Sequence, residues 1–293
     1  MNELIEGLVI SHLGQGIAVQ YNDTIILCQP RRKLETVAVG DRVLWRLSSP
    51  DQGSIEEILP RRSLLIRPSS NGKIRPVAAN IDRVFVVVAV EPFCDFLLID
   101  QYLAVCENRD IDAAIILNKI DLALPEALLA ELDIYSRLGY PFYTVSTYDH
   151  RGLDSLNSAL KDQTSILAGQ SGVGKSSLTK TLIPDLDLKT KTLSETTRHG
   201  RHTTTAATLY HLPGGGDLID SPGVAIFGLA GLTERHLAYG FRDFQPYIDQ
   251  CQFNDCRHDK DKGCAIRVAI EKGDISASRY QRFLKLREKM TLA

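Results

Sequence analysis

The order of the nucleotide-binding motifs is the feature that most constrains how this chain can fold. The segment Asn118-Lys119-Ile120-Asp121 precedes a glycine-rich loop at residues 169–176, and the segment Asp220-Ser221-Pro222-Gly223 follows that loop. In an ordinary guanine-nucleotide-binding domain, the glycine-rich loop comes first and the Asn-Lys-x-Asp segment comes late. All three motifs are present here in a different order, which predicts a circularly permuted domain.

The composition is that of a globular chain without a strong net charge. Its 293 residues can bury a substantial core and predict two or three domains. The 34 Lys and Arg residues nearly balance the 36 Asp and Glu residues, so any contact with RNA must come from local basic patches. Each such patch is more often a solvated surface. The candidates are residues 31–33, Arg61, Arg62 and Arg67, residues 198–202, and Arg279, Arg282, Lys285, Arg287 and Lys289.

The sequence predicts a soluble, cytoplasmic protein without membrane contact. The N-terminus lacks the apolar core of a signal peptide, and the longest apolar run, at residues 84–90, has only the length of a strand. Cys28, Cys94 and Cys106 are scattered, which is typical of reduced thiols in a core.

Residues 1–68 carry short β-rich runs separated by turn residues. The runs lie at residues 7–10, 16–19, 24–28, 42–45 and 54–58. Five strands in so short a segment predict a small β-barrel, for which we favour an OB-fold, although an SH3-like barrel fits the same pattern. Residues 69–80, with Gly72 and Pro76, are predicted to be a linker.

From residue 84 to residue 223, strands alternate with helices. Buried strands are predicted at residues 84–90, 113–117, 142–145 and 165–168, and a helix is predicted to begin at Pro125 and end at Gly139. This alternation predicts a mostly parallel sheet covered by helices on both faces. We assign residues 72–229 to this α/β domain, in which ligands bind beyond the carboxyl ends of the strands.

The glycine-rich loop has the composition of a phosphate-binding site. It follows a predicted strand and precedes a predicted helix, so its backbone N–H groups can surround phosphates at the positive end of that helix. Lys175 is expected to reach the β- and γ-phosphates, and the Ser176 hydroxyl is expected to bind Mg²⁺. The nucleotide-binding residues predicted here are Gly169, Gln170, Ser171, Gly172, Val173, Gly174, Lys175, Ser176 and Ser177.

The segment from Asn118 to Asp121 is predicted to select guanine. The Asp121 carboxylate can accept from both the ring N–H and the amino group of guanine, which adenine does not offer. Asn118 is expected to brace neighbouring loops, and the stem of Lys119 to cover the base. Ser146, after the next strand, is expected to contact the base through a backbone N–H.

The residues that would contact the γ-phosphate and Mg²⁺ are predicted in two segments of the sequence. Asp220 suits a water-mediated contact with Mg²⁺, and the Gly223 N–H suits the γ-phosphate. Upstream, residues 198–205 resemble a switch loop in which Thr204, or a neighbouring threonine, would bind the Mg²⁺ of bound GTP. No glutamine follows Gly223 to orient water, which predicts slow intrinsic hydrolysis. His202 could orient the water instead, and Arg198 or Arg201 could stabilise charge, but contact of this cluster with RNA is an equal alternative.

After Gly223 the alternation stops, and residues 230–293 predict a mostly helical domain around a cysteine-rich loop. Cys251, Cys256, His258 and Cys264 supply three thiolates and one imidazole. This set fills the tetrahedral coordination of Zn²⁺ and leaves no open position, so we expect a structural zinc ion that supplies much of the folding energy. A redox pair is the alternative, but the Cys-x-x-Cys spacing is missing.

Three features in combination resemble one family. They are the permuted motif order, the segment Gly200-Arg201-His202-Thr203-Thr204-Thr205, and the Cys-x4-Cys-x-His-x5-Cys loop. The family is the ribosome small-subunit-dependent GTPase A family of bacteria (RsgA/YjeQ), and the resemblance covers essentially the whole chain. It implies an OB barrel, a permuted GTPase domain and a zinc domain, and it assigns the positioning of water to His202.

The same resemblance implies the partners. They are GTP and GDP, the 30S ribosomal subunit and its 16S rRNA, which the flanking domains would bind late in maturation of the subunit. The subunit would stimulate hydrolysis, and hydrolysis would time the release of the protein, which we expect to be a monomer. A second hypothesis stays open, in which GTP stabilises an RNA-binding scaffold and hydrolysis is incidental. A remote third hypothesis is an ATPase.

Overall fold

The computed structural model describes residues 3–68, 74–186, 207–220, 229 and 231–291. The chain divides into two compact units, each built from three separate stretches. The first unit combines residues 1–83, 153–167 and 175–227. The second unit combines residues 84–152, 168–174 and 228–293.

A closed five-stranded barrel forms the N-terminal part of the first unit. Its strands are β1 (Ile5–Leu13), β2 (Gly16–Tyr21), β3 (Thr24–Pro30), β4 (Arg42–Ser49) and β5 (Gln52–Ile58). They pair in the order β1-β2-β3-β5-β4, and β4 closes the ring by pairing antiparallel with β1. Alternate side chains point inward and build a core that includes Val9, Val19, Cys28, Trp45 and Ile55. The predicted barrel is confirmed, and the position of β5 between β3 and β4 is the non-sequential strand order of an OB-fold.

A separate antiparallel pair of strands follows the barrel. It consists of β6 (Leu64–Pro68) and β7 (Ile74–Ala79). The prediction of a linker over residues 69–80 is therefore wrong for residues 74–79, while residues 69–73 lie outside the described part of the chain. Gly72 and Pro76 suggested a linker, but Ala78 and Ala79 are fully buried, and the Ala79 N–H donates to the Val39 carbonyl at 2.8 Å.

The rest of the first unit extends the barrel into an α/β sheet. Its elements are α3 (Leu153–Leu160), β11 (Thr164–Ala168), α4 (Lys175–Leu182), β12 (Thr208–His211) and β13 (Asp217–Asp220). β13 pairs parallel with β11 and antiparallel with β12, and β12 pairs antiparallel with β1. At that last junction the buried hydroxyls of Ser11 and Thr208 lie 3.0 Å apart.

The second unit contains the other strands of the α/β region. β8 (Arg83–Ala89), β9 (Asp112–Asn118) and β10 (Phe142–Thr144) lie in the order β10-β9-β8, with β9 and β10 parallel. α1 (Phe96–Glu107) follows β8, and α2 (Glu126–Arg137) follows β9. β8 and β9 are almost entirely buried, as expected for a sheet covered on both faces. The helix predicted from Pro125 to Gly139 is confirmed, with Pro125 as its N-cap.

The C-terminal part of the second unit is helical. It consists of α5 (Glu234–Tyr239), α6 (Gln245–Ile248), α7 (Ala265–Lys272) and α8 (Ala277–Thr291). These four helices confirm the mostly helical region that the sequence predicts after residue 230. The rings of Phe241, Phe244 and Phe283 form its core, with centroids 5.0 to 5.4 Å apart. Across the described ranges, no helix combines the length and the apolar character needed to span a membrane.

A buried charge cluster holds α8 against α1 and α2. Arg279 donates to Asp100 at 2.5 Å and to Asp243 at 3.0 Å, and Arg282 also contacts Asp100. Burial raises the pKa of the Asp100 carboxyl, and the two guanidinium groups oppose that shift. Arg279 is only 1% exposed, so it does not belong to an accessible basic patch as the sequence suggested. Arg61 is likewise engaged, since it donates two hydrogen bonds to the buried Asp41 carboxylate.

Candidate nucleotide site and metal centre

The segment predicted to select the base, Asn118 to Asp121, begins where β9 ends. The Asn118 side chain is fully buried, and its Nδ2 donates to the Val173 carbonyl at 2.9 Å. Lys119 follows with a left-handed φ of 64°, and its Nζ donates to the Glu91 carbonyl at 2.7 Å and to the Gly172 carbonyl at 2.8 Å. These contacts bring the Asn-Lys-x-Asp segment onto the glycine-rich loop, although the two motifs are reversed in the sequence.

The Asp121 carboxylate is oriented by a hydroxyl from another loop. Ser146 Oγ donates to Asp121 Oδ1 at 2.7 Å. The sequence assigned Ser146 a backbone contact with the base, and it did not predict this side-chain bond. A carboxylate held through one oxygen keeps further acceptor capacity for the N–H groups of a ligand.

The glycine-rich loop depends on glycine at its two ends. Gly169 has a φ of 139°, and a Cβ there would lie 2.2 Å from the Val87 carbonyl oxygen. Gly174 has a φ of 97°, and a Cβ there would lie 2.3 Å from Asn118 Nδ2. Any other residue at either position would therefore both strain the backbone and displace a neighbour.

Two contacts of the loop were missed by sequence reasoning. Gln170 Oε1 accepts the Asp95 N–H at 3.1 Å, next to the N-terminus of α1. The Gly169 N–H donates to the hydroxyl of Tyr102 in α1, and this bond lowers the pKa of a tyrosine that burial otherwise raises. Asp95 also caps α1 by accepting the Leu98 N–H at 3.1 Å. An N-cap pattern at Asp95 signals the helix start, but nothing in the sequence signals the role of Tyr102.

The first unit carries the remaining described residues of the predicted phosphate site. Lys175, Ser176 and Ser177 form the first turn of α4, where backbone N–H groups have no partner within the helix. Asp220 ends β13. Burial lowers the pKa of Lys175 and raises the pKa of Asp220, and the attraction between the two charges opposes both shifts. A partly desolvated lysine and carboxylate suit a ligand that carries phosphate and a divalent cation.

Several predicted residues lie outside the described part of the chain. They are Arg198, Arg201, His202, Thr204 with its neighbours Thr203 and Thr205, and Gly223. Their roles in catalysis, Mg²⁺ binding and γ-phosphate contact stay predictions.

The four predicted metal ligands converge in the helical part of the second unit. One ligand atom from each of Cys251, Cys256, His258 and Cys264 lies within 4.8 Å of all the others. His258 Nδ1 is 3.6 Å from Cys251 Sγ and 3.7 Å from Cys264 Sγ. Sulfur and nitrogen ligands on a tetrahedral Zn²⁺ lie about 3.5–3.6 Å apart, because Zn–S is about 2.3 Å and Zn–N about 2.0–2.1 Å. The cluster can therefore hold a metal ion with little rearrangement.

Surrounding contacts fix the loop that carries these four side chains. The Tyr280 hydroxyl donates to the His258 carbonyl at 2.8 Å, and Arg287 donates to Asp259 at 2.9 Å. Burial lowers the pKa of His258, which favours the neutral imidazole that a metal requires.

Comparisons with known proteins agree with this architecture. The sequence model of the family described as RsgA GTPase matches residues 58–230. The chain is 45% identical to the small ribosomal subunit biogenesis GTPase RsgA of Chromohalobacter salexigens, over 97% of this chain and 86% of the relative. It is 42% identical to the protein of the same name from Proteus mirabilis, over 99% of this chain and 86% of the relative.

Solved structures show the same similarity. The crystal structure of YjeQ from Thermotoga maritima matches with a TM-score of 0.79 and 31% identity, covering 99% of both chains. YloQ, described as a circularly permuted GTPase, matches with a TM-score of 0.75 and 28% identity, covering 99% of this chain and 96% of that chain. With a family match over more than half of its length and relatives this similar, the chain belongs to the RsgA GTPase family.

Proposed function

We propose that this chain is a GTPase that acts in biogenesis of the small ribosomal subunit. One structural observation supports GTP binding and hydrolysis most strongly. Asn118 and Lys119 donate hydrogen bonds to Val173 and Gly172, so the base-selecting segment and the phosphate loop belong to one site despite their reversed order. The biological part rests on the RsgA relatives, which are named small ribosomal subunit biogenesis GTPases.

In the proposed site, Asp121 binds the guanine edge and the Lys119 stem covers the base. The backbone of residues 169–174 surrounds the phosphates, with Lys175 on the β- and γ-phosphates. Mg²⁺ is bound by the Ser176 hydroxyl, by Asp220 through a water and, with GTP present, by Thr204. The Gly223 N–H contacts the γ-phosphate, and His202 orients the attacking water.

We further propose a structural Zn²⁺ on Cys251, Cys256, His258 and Cys264. Three thiolates and one imidazole are a soft, closed donor set, and their spacing fits tetrahedral zinc. This metal would hold the loop between α6 and α7 and take no part in hydrolysis.

We also propose a role for each domain of the chain. Residues 1–68 form an RNA-binding OB barrel, residues 72–229 the permuted GTPase domain and residues 230–293 the zinc domain, with the two outer domains binding 16S rRNA. Of the C-terminal basic residues, the exposed Lys285 and Lys289 fit contact with phosphates, whereas the buried Arg279 does not. The buried free thiols of Cys28, Cys94 and Cys106 favour a reducing, cytoplasmic location, where we expect a monomer.

Turnover of GTP with and without purified 30S subunits tests the function. We expect slow turnover alone and strong stimulation by the subunit, with His202→Ala lowering the stimulated rate and leaving GTP affinity nearly intact. Absence of stimulation would favour the alternative, a GTP-stabilised RNA-binding scaffold. Equal affinity for ATP and GTP would contradict guanine selection.

A further inference from the structure

Two aromatic side chains are far more exposed than any other large hydrophobic side chain of the described residues. Phe93 is 86% exposed and Tyr148 is 84% exposed, whereas the next, Tyr239, is 54% exposed. A single exposed aromatic residue is ordinary on a protein surface. Tyr148 differs from the other exposed aromatic residues because its backbone lies close to Asp121.

The hydroxyl that orients Asp121 also fixes the backbone of Tyr148. Ser146 Oγ donates to Asp121 Oδ1 at 2.7 Å and accepts the Tyr148 N–H at 3.2 Å and the Asp149 N–H at 3.3 Å. The backbone nitrogen of Tyr148 and the Asp121 carboxylate oxygen therefore lie no more than 5.9 Å apart.

The remainder of this loop is tied to the base-selecting segment as well. The Arg151 guanidinium donates to the Ile120 carbonyl at 3.1 Å, and the Ser146 N–H donates to the Arg151 carbonyl at 3.0 Å. Gly152 ends the loop with a φ of 74°. The backbone that carries Tyr148 is thus held at both ends, while its ring remains exposed.

We propose that Tyr148 stacks on the purine base bound by Asp121 and so raises the affinity for guanine nucleotides; this rests on the GTP site proposed above. The Lys119 stem supplies one apolar surface for the base, and the Tyr148 ring supplies another. Stacking on an aromatic side chain tolerates any base, so Tyr148 adds affinity while Asp121 provides selection. A loop fixed before binding loses little conformational entropy when the base arrives.

Phe93 lies on the segment that contacts the phosphate loop. It follows Glu91 and precedes Asp95, whose N–H donates to Gln170 of the phosphate loop. We therefore assign the contact with the base to Tyr148 and not to Phe93.

The test compares ligands with and without a base. Dissociation constants for GDP and for ribose 5-diphosphate are measured by competition against a fluorescent GDP analogue, for the full chain and for Tyr148→Ala, Tyr148→Phe and Tyr239→Ala. Tyr148→Ala should weaken GDP binding by about 5- to 100-fold and leave ribose 5-diphosphate unchanged. Tyr148→Phe, which keeps the ring, and Tyr239→Ala, a matched exposed tyrosine of the same unit, should bind GDP as the unchanged chain does.

Two outcomes would overturn the proposal. Unchanged GDP affinity in Tyr148→Ala would show that the ring does not touch the base. Equal losses for GDP and for ribose 5-diphosphate would show that the substitution disturbs the loop and not a base contact. Asp121→Ala separates these results from failure of the site itself. If Asp121→Ala weakens GDP binding and Tyr148→Ala does not, only the stacking is wrong; if neither does, the proposed guanine site is wrong as well.

Discussion

Replacing Arg279 by methionine tests whether the buried charge cluster holds the C-terminal helix in place. The guanidinium is 1% exposed and bridges two carboxylates, Asp100 and Asp243, which are 0% and 6% exposed. Arg279→Met keeps an unbranched, apolar stem and removes the charge. Asp100 then retains Arg282 and the Tyr135 hydroxyl, but no other ion pair to Asp243 occurs among the described residues.

The expected loss of stability follows because Asp243 loses its ion-pair partner, whereas Asp100 keeps two partners. Breaking a buried ion pair by removing one partner costs about 3–5 kcal/mol, because a charge stays buried without compensation. The guanidinium also lies 4.7 Å from the Phe241 ring centroid, and losing that cation–π contact adds to the effect. We expect the free energy of unfolding of the second unit to fall by about 3–5 kcal/mol.

The assay must report on the second unit, because a chain with two compact units need not unfold in one step. Hydrogen exchange of the amides in α7 and α8, measured under native conditions, gives the free energy of opening of that region. Lys285→Met is the matched control, since Lys285 is exposed on the same helix and its replacement should change stability by no more than about 0.5 kcal/mol. A loss below about 1 kcal/mol for Arg279→Met, or one equal to that of Lys285→Met, would show that the buried guanidinium does not hold α8 in place.

Two further predictions concern the metal centre and the barrel. The purified chain should contain one Zn²⁺ by elemental analysis. Cys256→Ser should lose both the metal and the protection of α7 from hydrogen exchange, whereas the control Cys106→Ser should keep both. Full protection of α7 without metal would contradict a structural role for the ion. Burial lowers the pKa of His12 in β1, so the folded barrel favours the neutral imidazole. The stability that depends on neutral His12 is fully present above the pKa of this histidine in the unfolded chain, about 6.5. It is lost as the pH falls from that value toward the lower pKa of His12 in the folded barrel. His12→Gln should therefore flatten the pH dependence of denaturant unfolding between pH 7 and pH 5, and an unchanged slope would count against it.

The sequence predicts what local patterns determine. The turn spacing of the first 60 residues gave the barrel strands, because alternation and turn residues act over a few positions. The Asn118 and Gly169 motifs were recognisable because binding phosphate and guanine requires particular residue types at fixed spacings. The four candidate metal ligands were predictable because all of them lie in one short segment.

The sequence does not predict contacts between residues that lie far apart along the chain. The sequence places Arg279 in a candidate basic patch, but Asp100, 179 residues upstream, pairs with it in the core. The bond from Ser146 to Asp121 and the bond from Gly169 to Tyr102 likewise join separate loops and helices. The strand β7 was missed because its burial comes from contact with Val39, while its own glycine- and proline-containing neighbourhood favoured a linker.

In the proposed GTP site, Asp121, held by Ser146, selects guanine beside the phosphate loop. Asp121→Asn changes one acceptor into a donor, which matches the 2-oxo group of xanthine and no longer matches the 2-amino group of guanine. The most direct measurement is the competition of GDP and XDP for the Asp121→Asn variant. We predict that GDP binding weakens by about 10- to 100-fold, as expected for loss of a hydrogen bond to a charged group, and that XDP becomes the preferred ligand. A variant that still prefers GDP would show that Asp121 does not select the base.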